Sequence, residues 1–196
     1  MTTIVYLHGF RSSPASAKAQ ALQYAVAALP AAHRPQLHVP ALDDRPLAAV
    51  QRVIDWIARH ATATPTFVGS SLGGYYATHL AEHYAARAVL INPAVRPYDD
   101  LVPYVGVQTN LYTGRAFEVT PAHFDELRAI DTARLAQPSR YLLYLQSGDE
   151  VLDWRAAIAR YAGAWQCVEG GGDHGFTGFE RQLPTLLRFA QNGFGD

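Results

Sequence analysis

One segment of this 196-residue chain reads Gly69-Ser70-Ser71-Leu72-Gly73, directly after the apolar run Thr66-Phe67-Val68. A serine with glycine two positions before it and two positions after it is the pattern of a nucleophile elbow, a tight turn from a strand into a helix. The turn holds the serine at strained backbone angles, and a side chain at either flanking position would collide with the adjoining strand or helix. Ser70 does not fit, because neither of its flanking positions is glycine. Ser71 is therefore the candidate nucleophile.

Short apolar runs alternate along the chain with stretches of helical periodicity. The predicted strands are Thr3–Leu7, Leu37–Val39, Thr66–Gly69, Ala88–Ile91, Tyr141–Gln146 and Trp165–Val168. Several are almost continuously apolar, as expected for strands that are covered on both faces. Ser13-Pro14 predicts the start of the first helix, with serine at the N-cap and proline at the first helical position. The alternation predicts a three-layer α/β fold with a mostly parallel sheet of about six strands.

The segment 93–139 interrupts this alternation, because it is long and has few strand signals. Thr120-Pro121 predicts a helix inside it, and its aromatic residues are Tyr98, Tyr104, Tyr112, Phe117 and Phe124. The segment is either a crossover that covers the sheet or a cap over the active site. The cap is the favoured interpretation, since long insertions in compact domains are often functional.

Composition narrows the class of protein. A chain of 196 residues, 49% hydrophobic and 17% charged, is predicted to form a single globular domain, residues 1–196. Its net charge of −1 gives no reason to expect nucleic acid or an anionic membrane as a partner. The one cysteine, Cys167, excludes an internal disulfide, and no apolar run approaches the ~18 residues of a membrane span. No leader is apparent after Met1. We therefore expect a soluble cytoplasmic protein; the sequence is silent on its oligomeric state.

A serine nucleophile needs a base within hydrogen-bond reach, and that base needs an orienting acid. In this architecture the acid and then the histidine follow the serine in chain order, each in a loop after a later strand. Asp149 comes just past the strand Tyr141–Gln146 and is the predicted acid. Glu150 and Asp153 compete with it. Asp153 is expected to cap the next helix and Glu150 to face solvent.

His174 is the predicted base. It follows the last strand, within the glycine-rich loop 169–176, which can bend toward Ser71. Asp173 beside it is expected to hydrogen-bond within the loop. His8 precedes the nucleophile in the chain and is given a structural role. Most of the other histidines lie in or beside predicted helices.

An acyl-transfer site also needs two backbone N–H donors for the developing oxyanion. Leu72, directly after the nucleophile, opens a helix, where N–H groups lack intrahelical partners. The second predicted donor is the N–H of Phe10, in the loop after the first strand. No metal or cofactor is expected. His79 and His83 stand at helical i,i+4 spacing, but no third ligand is apparent.

Several motifs together give a narrower identification. They are Tyr6-Leu7-His8-Gly9-Phe10, Gly69–Gly74, Asn92-Pro93-Ala94, Asn110-Leu111-Tyr112-Thr113-Gly114, Gly148–Asp153 and Gly172–Phe176. In these motifs the chain resembles the small bacterial YqiA-type esterases of the α/β-hydrolase fold. The resemblance implies Ser71 as nucleophile, Asp149 as acid and His174 as base, with esterase or acyl-CoA thioesterase activity. With right-handed crossovers, it also implies the strand order second, first, third, fourth, fifth, sixth.

Arg11 is a departure from this family, in which a small polar residue is expected after His-Gly-Phe. It either reaches the mouth of the site, where it would favour an anionic acyl group or coenzyme A phosphates, or faces solvent or a carboxylate. Arg11 and Tyr112 are candidate substrate-binding residues.

The predicted function is hydrolysis of carboxylic esters or thioesters with short to medium acyl chains. Peptidase and acyltransferase activities share the acyl-enzyme step and stay open. A catalytically silent ligand-binding or scaffold protein on the same fold is the alternative from another class.

Overall fold

Six parallel strands form the central sheet of the protein. The computed structural model describes residues 2–194, so Met1, Gly195 and Asp196, the ends of the predicted domain, lie outside the described residues. In chain order the strands are β1 (Thr3–Leu7), β2 (Gln36–His38), β3 (Thr66–Ser70), β4 (Ala88–Ile91), β5 (Gly106–Thr109), β6 (Ala116–Val119), β7 (Tyr141–Gln146) and β8 (Trp165–Glu169). The central sheet has the order β2-β1-β3-β4-β7-β8, which confirms the predicted order, while β5 and β6 form a separate antiparallel hairpin.

The inner strands are buried on both faces. Every residue of β1, β3, β4 and β7 is buried, whereas the edge strands β2 and β8 are partly exposed. A parallel sheet requires this pattern, since the helices that connect its strands cover both faces. The continuous apolar runs therefore predicted the strands of this sheet to within one residue at each end.

Helices cover the two faces of the sheet and make the fold three-layered. They are α1 (Ala17–Ala28), α2 (Pro46–His60), α3 (Leu72–His83), α4 (Pro97–Asp100), α5 (Pro121–Ala129), α6 (Trp154–Arg160) and α7 (Leu183–Asn192). Val5 and Leu7 of β1 pack in a core with α2, α3, α5 and α6, and Ile4 and Tyr6 pack in a second core with α1 and α7. Each fully buried aliphatic side chain in these cores contributes about 1.5–3 kcal/mol. None of the described helices is both long enough and apolar enough to cross a membrane.

Helix α1 begins at Ala17, so the predicted start at Ser13-Pro14 is wrong. The N–H of Ser16 donates to the carbonyl oxygen of Ser13 at 3.1 Å, and the N–H of Ala15 donates to Ser13 Oγ at 3.0 Å. The serine and proline therefore form a turn, which is the other structure that this pair favours. Ser16 is left at the N-cap position, where its side chain makes no capping hydrogen bond.

The segment 93–139 contains the β5–β6 hairpin, although the sequence showed few strand signals there. The hairpin is an exposed two-stranded ribbon, in which Val107 is 75% exposed, so it lacks the apolar runs of the central sheet. It is attached to the loop after β1: Leu111 N–H donates to Arg11 O at 2.9 Å, and Asn110 Nδ2 donates to Ser12 O at 2.7 Å. One part of the segment thus lies beside the carboxyl ends of the strands. Helix α5 instead joins the layer formed by α2 and α3.

Candidate active site

Ser71 occupies the turn between β3 and α3. Its backbone angles are φ 56° and ψ −123°, outside the regions that non-glycine residues prefer. The turn requires glycine at positions 69 and 73, because neither position has space for a side chain. A Cβ at Gly69 would lie 2.1 Å from Gly73 O, and a Cβ at Gly73 would lie 2.0 Å from Leu7 O. The sequence therefore forms a tight elbow, and Ser71 is at its apex.

His174 lies between Ser71 and Asp149. Its Nε2 is 3.0 Å from Ser71 Oγ, and its Nδ1 is 2.9 Å from Asp149 Oδ2 and 3.0 Å from Oδ1. An ionised carboxylate can only accept, so the Nδ1 proton points to Asp149 and Nε2 is free to accept the Ser71 proton. The three residues predicted as nucleophile, acid and base are thus brought together from three loops, 103 and 25 residues apart in the chain.

Asp149 is a buried carboxylate beside the imidazole of His174. Its side chain is 1% exposed, whereas that of His174 is 23% exposed. Burial by itself would raise the pKa of Asp149, but hydrogen bonds from His174 and from the N–H groups of Val151 and Leu152 hold the pKa below its usual value. The site therefore contains a buried negative charge that orients the imidazole and would stabilise its protonated form.

The two competing carboxylates, Asp153 and Glu150, and the neighbouring Asp173 have other partners. Asp153 caps α6 by accepting the N–H of Arg155 at 2.9 Å, as predicted. Asp173 accepts from Thr177 within its own loop at 2.6 Å. Glu150 is exposed, as expected, but its Oε2 also accepts the main-chain N–H of His174 at 3.0 Å. Glu150 therefore anchors the histidine loop, which the sequence did not indicate.

Sequence reasoning assigned no role to Asn92, which directly follows β4. It is 2% exposed, and its φ of 39° lies in the left-handed region that asparagine tolerates. Its Nδ2 donates to the carbonyl oxygens of Asp173 and His174, and its Oδ1 accepts the N–H of Gln146. Gln146 in turn donates to Thr177 O and accepts the N–H of Asp173. The sequence feature that could have pointed to Asn92 is a polar residue directly after an apolar strand.

The two predicted oxyanion donors, the backbone N–H groups of Phe10 and Leu72, belong to segments that meet at Ser71. Leu72 is the first residue of α3, so its N–H has no acceptor within the helix. The loop that carries Phe10 passes against the elbow, since a Cβ on Gly9 would lie 3.2 Å from Ser71 Cβ. The Phe10 ring is fixed by edge-to-face contacts with Tyr104 and Phe117. Phe10 and Leu72 both line the same cavity as Ser71.

His8 has backbone partners on both ring nitrogens. Leu42 N–H donates to its Nε2 at 3.2 Å, so Nδ1 carries the proton and donates to Gly9 O at 3.0 Å. Burial lowers the pKa of His8, which favours this neutral form. The residue therefore supports the loop after β1, in agreement with the structural role that chain order indicated.

An apolar cavity of about 480 Å³ opens onto Ser71 and His174. Its walls are largely hydrophobic and include Phe10, Leu72, Leu101, Tyr104, Leu111 and Leu152. Three of these residues come from the segment 93–139. The cavity is in the size range of small-molecule sites.

The two predicted substrate-binding residues lie at the mouth of the site. Arg11 lines the apolar cavity, and its Nε donates to Thr109 O at 2.9 Å. Within residues 2–194 it forms no ion pair. Tyr112 is 50% exposed and lines a second cavity that also reaches Ser71. Among the described residues, no group of three or more His, Cys, Asp or Glu side chains could hold a metal ion.

The fold is shared with many solved structures. A putative hydrolase from Agrobacterium vitis S4 superposes with a TM-score of 0.74 at 16% identity, covering 95% of this chain and 87% of that one. Alpha/beta hydrolase domain-containing protein 10 from mouse gives 0.69 at 16% identity, covering 97% and 88%. Est1E from Butyrivibrio proteoclasticus, solved with ferulic acid bound, gives 0.67 at 14% identity, covering 98% and 89%. The protein thus has the α/β-hydrolase fold.

A family match agrees with the fold and covers nearly the whole chain. Residues 3–191 match the uncharacterised protein family UPF0227, which is the YqiA family that the sequence motifs indicated. The protein is therefore a member of the uncharacterised protein family UPF0227.

Proposed function

We propose that the protein is a serine hydrolase that cleaves carboxylic esters or thioesters through an acyl-Ser71 intermediate. The observation that carries this proposal is the His174 imidazole, which lies 3.0 Å from Ser71 Oγ on one side and 2.9 Å from the Asp149 carboxylate on the other. Nucleophile, base and orienting acid within hydrogen-bond distance are the requirement for acyl transfer by serine. The carboxylesterase CesB from Bacillus subtilis, which shares the fold with a TM-score of 0.61 at 14% identity over 98% of this chain and 85% of that one, supports ester hydrolysis as the reaction.

The first half-reaction acylates the serine. Ser71 Oγ bonds to the carbonyl carbon while His174 Nε2 takes its proton, and the carbonyl electron pair moves onto oxygen. The N–H groups of Phe10 and Leu72 bind that oxyanion. When the carbonyl re-forms, the bond to the alcohol or thiol leaving group breaks, and the leaving atom takes the proton from His174.

The second half-reaction regenerates the enzyme. Water attacks the acyl-Ser71 carbonyl while His174 accepts a proton from it, and Asp149 stabilises the imidazolium that forms. Collapse of the second oxyanion releases the carboxylic acid and returns the proton to Ser71 Oγ. The apolar cavity of about 480 Å³ suits a short to medium acyl chain. Acyl-coenzyme A is a thioester of the kind that this chemistry would accept.

A fluorophosphonate probe and p-nitrophenyl butyrate test the proposal together. Ser71→Ala should abolish labelling and reduce kcat for the ester by at least about 10³-fold, whereas Ser70→Ala, the matched control, retains the label. A protein that neither labels nor hydrolyses the ester would instead be the silent binding or scaffold protein. Labelling that survives Ser71→Ala would contradict the assignment of the nucleophile.

A further inference from the structure

A second cavity, of about 360 Å³, also opens onto Ser71 and His174. It shares Phe10, Arg11 and Leu111 with the apolar cavity. Tyr6, Ser12, Ser16 and Lys18 are among the residues that line it but not the apolar cavity. Within the described part of the chain, no Asp or Glu lines it. The two cavities therefore differ in charge, because Asp100 and Glu150 line the first, whereas Lys18 joins Arg11 in the wall of the second.

Ser16 is a buried residue in the wall of this cavity. It is 7% exposed, and the Tyr6 hydroxyl lies beside its Oγ without good hydrogen-bond geometry. The hydrogen-bonding capacity of this hydroxyl is therefore incompletely used within the described residues. Ser16 stands at the N-cap of α1 but does not cap it, so its hydroxyl is available to a ligand.

The N-terminus of α1 adds positive potential at the same place. The helix has 12 residues and no acidic residue in its first turn, so its free N–H groups and its dipole are not neutralised there. Ala17 and Lys18, the first two helical residues, line the cavity. A helix end of this kind favours a bound anion.

Two cationic side chains complete the wall of the second cavity. Lys18 Nζ donates to Gly175 O at 2.7 Å, beside His174, and keeps two further N–H groups for a ligand. Burial lowers the pKa of Lys18, and the nearby carboxylates of Asp173 and Asp149 oppose that shift without forming an ion pair with it. Arg11 also lines the cavity; its Nε donates to Thr109 O, and within residues 2–194 its two terminal nitrogens form no hydrogen bond.

We propose that this second cavity, lined by Arg11 and Lys18, binds a carboxylate or phosphate group that the substrate carries close to the scissile bond, while the apolar cavity takes the hydrocarbon part. The inference rests on the proposed hydrolase function, because it places the anion relative to Ser71. Since Ser71 and His174 themselves line this cavity, the anion must lie within a few bonds of the reacting carbonyl. The anion is bound by Lys18, Arg11, the Ser16 hydroxyl and the first N–H groups of α1.

Two pairs of esters test the proposal and locate the anion. The butyrate ester of 4-hydroxybenzoate, compared with its methyl ester, carries the charge on the leaving group. Mono-p-nitrophenyl glutarate, compared with the p-nitrophenyl ester of monomethyl glutarate, carries it on the acyl group. The measured quantity is the ratio of kcat/KM for the charged ester to kcat/KM for its neutral partner. We expect a ratio of about ten in one pair.

Variants of the lining residues test whether that kcat/KM ratio depends on the cavity. Lys18→Met and Ser16→Ala should each lower the ratio about three- to tenfold, and Arg59→Gln on α2 serves as the control for a lost surface charge. Ser16→Ala removes no capping hydrogen bond from α1, so the variant should fold normally. Ratios at or below one in both pairs would overturn the proposal. So would variants that change the ratio no more than Arg59→Gln does.

A binding measurement separates this proposal from the hydrolase proposal. Inorganic phosphate at constant ionic strength should raise the Tm of the wild-type protein and of Ser71→Ala alike, and the rise should be lost in Lys18→Met. If none of the four esters is hydrolysed in a Ser71-dependent way, the hydrolase proposal fails. The anion site is then supported if phosphate raises the Tm in a Lys18-dependent way, and it is refuted if the Tm does not rise.

Discussion

The side-chain amide of Asn92 donates a hydrogen bond to the main-chain carbonyl oxygen of His174 at 3.1 Å and a second one to that of Asp173 at 3.0 Å. Its Oδ1 accepts the N–H of Gln146, at the end of β7, at 3.0 Å. Asn92 follows directly on β4, which pairs with the strand that leads into Ser71. One buried side chain therefore ties the ends of two central strands to the loop that carries the candidate base.

We expect Asn92→Asp to reduce kcat for p-nitrophenyl butyrate about tenfold with little change in KM. The aspartate keeps the size and the acceptor for Gln146 but loses both N–H donors, so the His174 loop loses its anchor. Steady-state kinetics with parallel thermal unfolding separate positioning from general destabilisation. A kcat within twofold of the wild-type value, in a folded variant, would show that Asn92 does not position His174.

Acid should destabilise the protein partly through Asp149. The pKa of this carboxyl group is lowered in the folded state, so its ionised form stabilises the fold above the ordinary carboxyl range. That contribution is lost as the pH falls through the lowered folded-state pKa. Between about pH 5 and pH 2, the free energy of unfolding should fall more steeply for the wild-type protein than for Asp149→Asn, as measured by urea denaturation. Parallel curves would mean that Asp149 contributes nothing to the acid sensitivity.

Gly73→Ala should destabilise the protein by more than about 3 kcal/mol, or prevent folding. Its Cβ would lie 2.0 Å from the main-chain oxygen of Leu7, where backbone on both sides prevents relief. Gly170→Ala is the matched control, because a Cβ there meets nothing within 4 Å, and its effect should stay within about 0.5 kcal/mol. Denaturant unfolding of both variants measures the difference. Equal stabilities would refute the steric account of the elbow.

Leu101→Trp should shorten the acyl chain that the protein accepts. Leu101 lines the apolar cavity from the end of α4, and an indole at this position would fill part of the space. In a series of p-nitrophenyl esters, kcat/KM for octanoate should fall at least about tenfold more than that for acetate. The acetate ester is the internal control for damage to the catalytic groups. A uniform loss across the series would indicate that the acyl chain does not occupy this cavity.

Much of the fold was readable from local pattern. The strands of the central sheet are continuous apolar runs, because a parallel sheet is buried on both faces, so each could be located within one residue of its observed ends. The turn at Ser13 differs from the predicted helix start because serine followed by proline favours both structures. The β5–β6 hairpin was missed because an exposed ribbon needs no apolar run, and its alternation over four residues is too short to detect.

The residues of the candidate site also fall into those that the sequence could predict and those that it could not. Ser71, Asp149 and His174 could be chosen from the sequence because each follows a strand, and parallel strands present their carboxyl ends at one edge of the sheet. Asn92 and Glu150 could not, because their roles depend on which loop lies opposite them. Their partners at His174 are 82 and 24 residues away in the chain.

By itself the sequence determined the parallel sheet, the elbow at Ser71 and the order of the predicted acid and base, because these depend on burial and on chain order. Only the tertiary structure decided that Arg11, Ser16 and Lys18 line one cavity beside Ser71, and that the cavity has no acidic wall among the described residues. The physical reason is that a charge or a hydroxyl group acquires its function from what faces it. Here those neighbours come from the loop after β1, the start of α1 and the loop after β8, which only the folded sheet brings together.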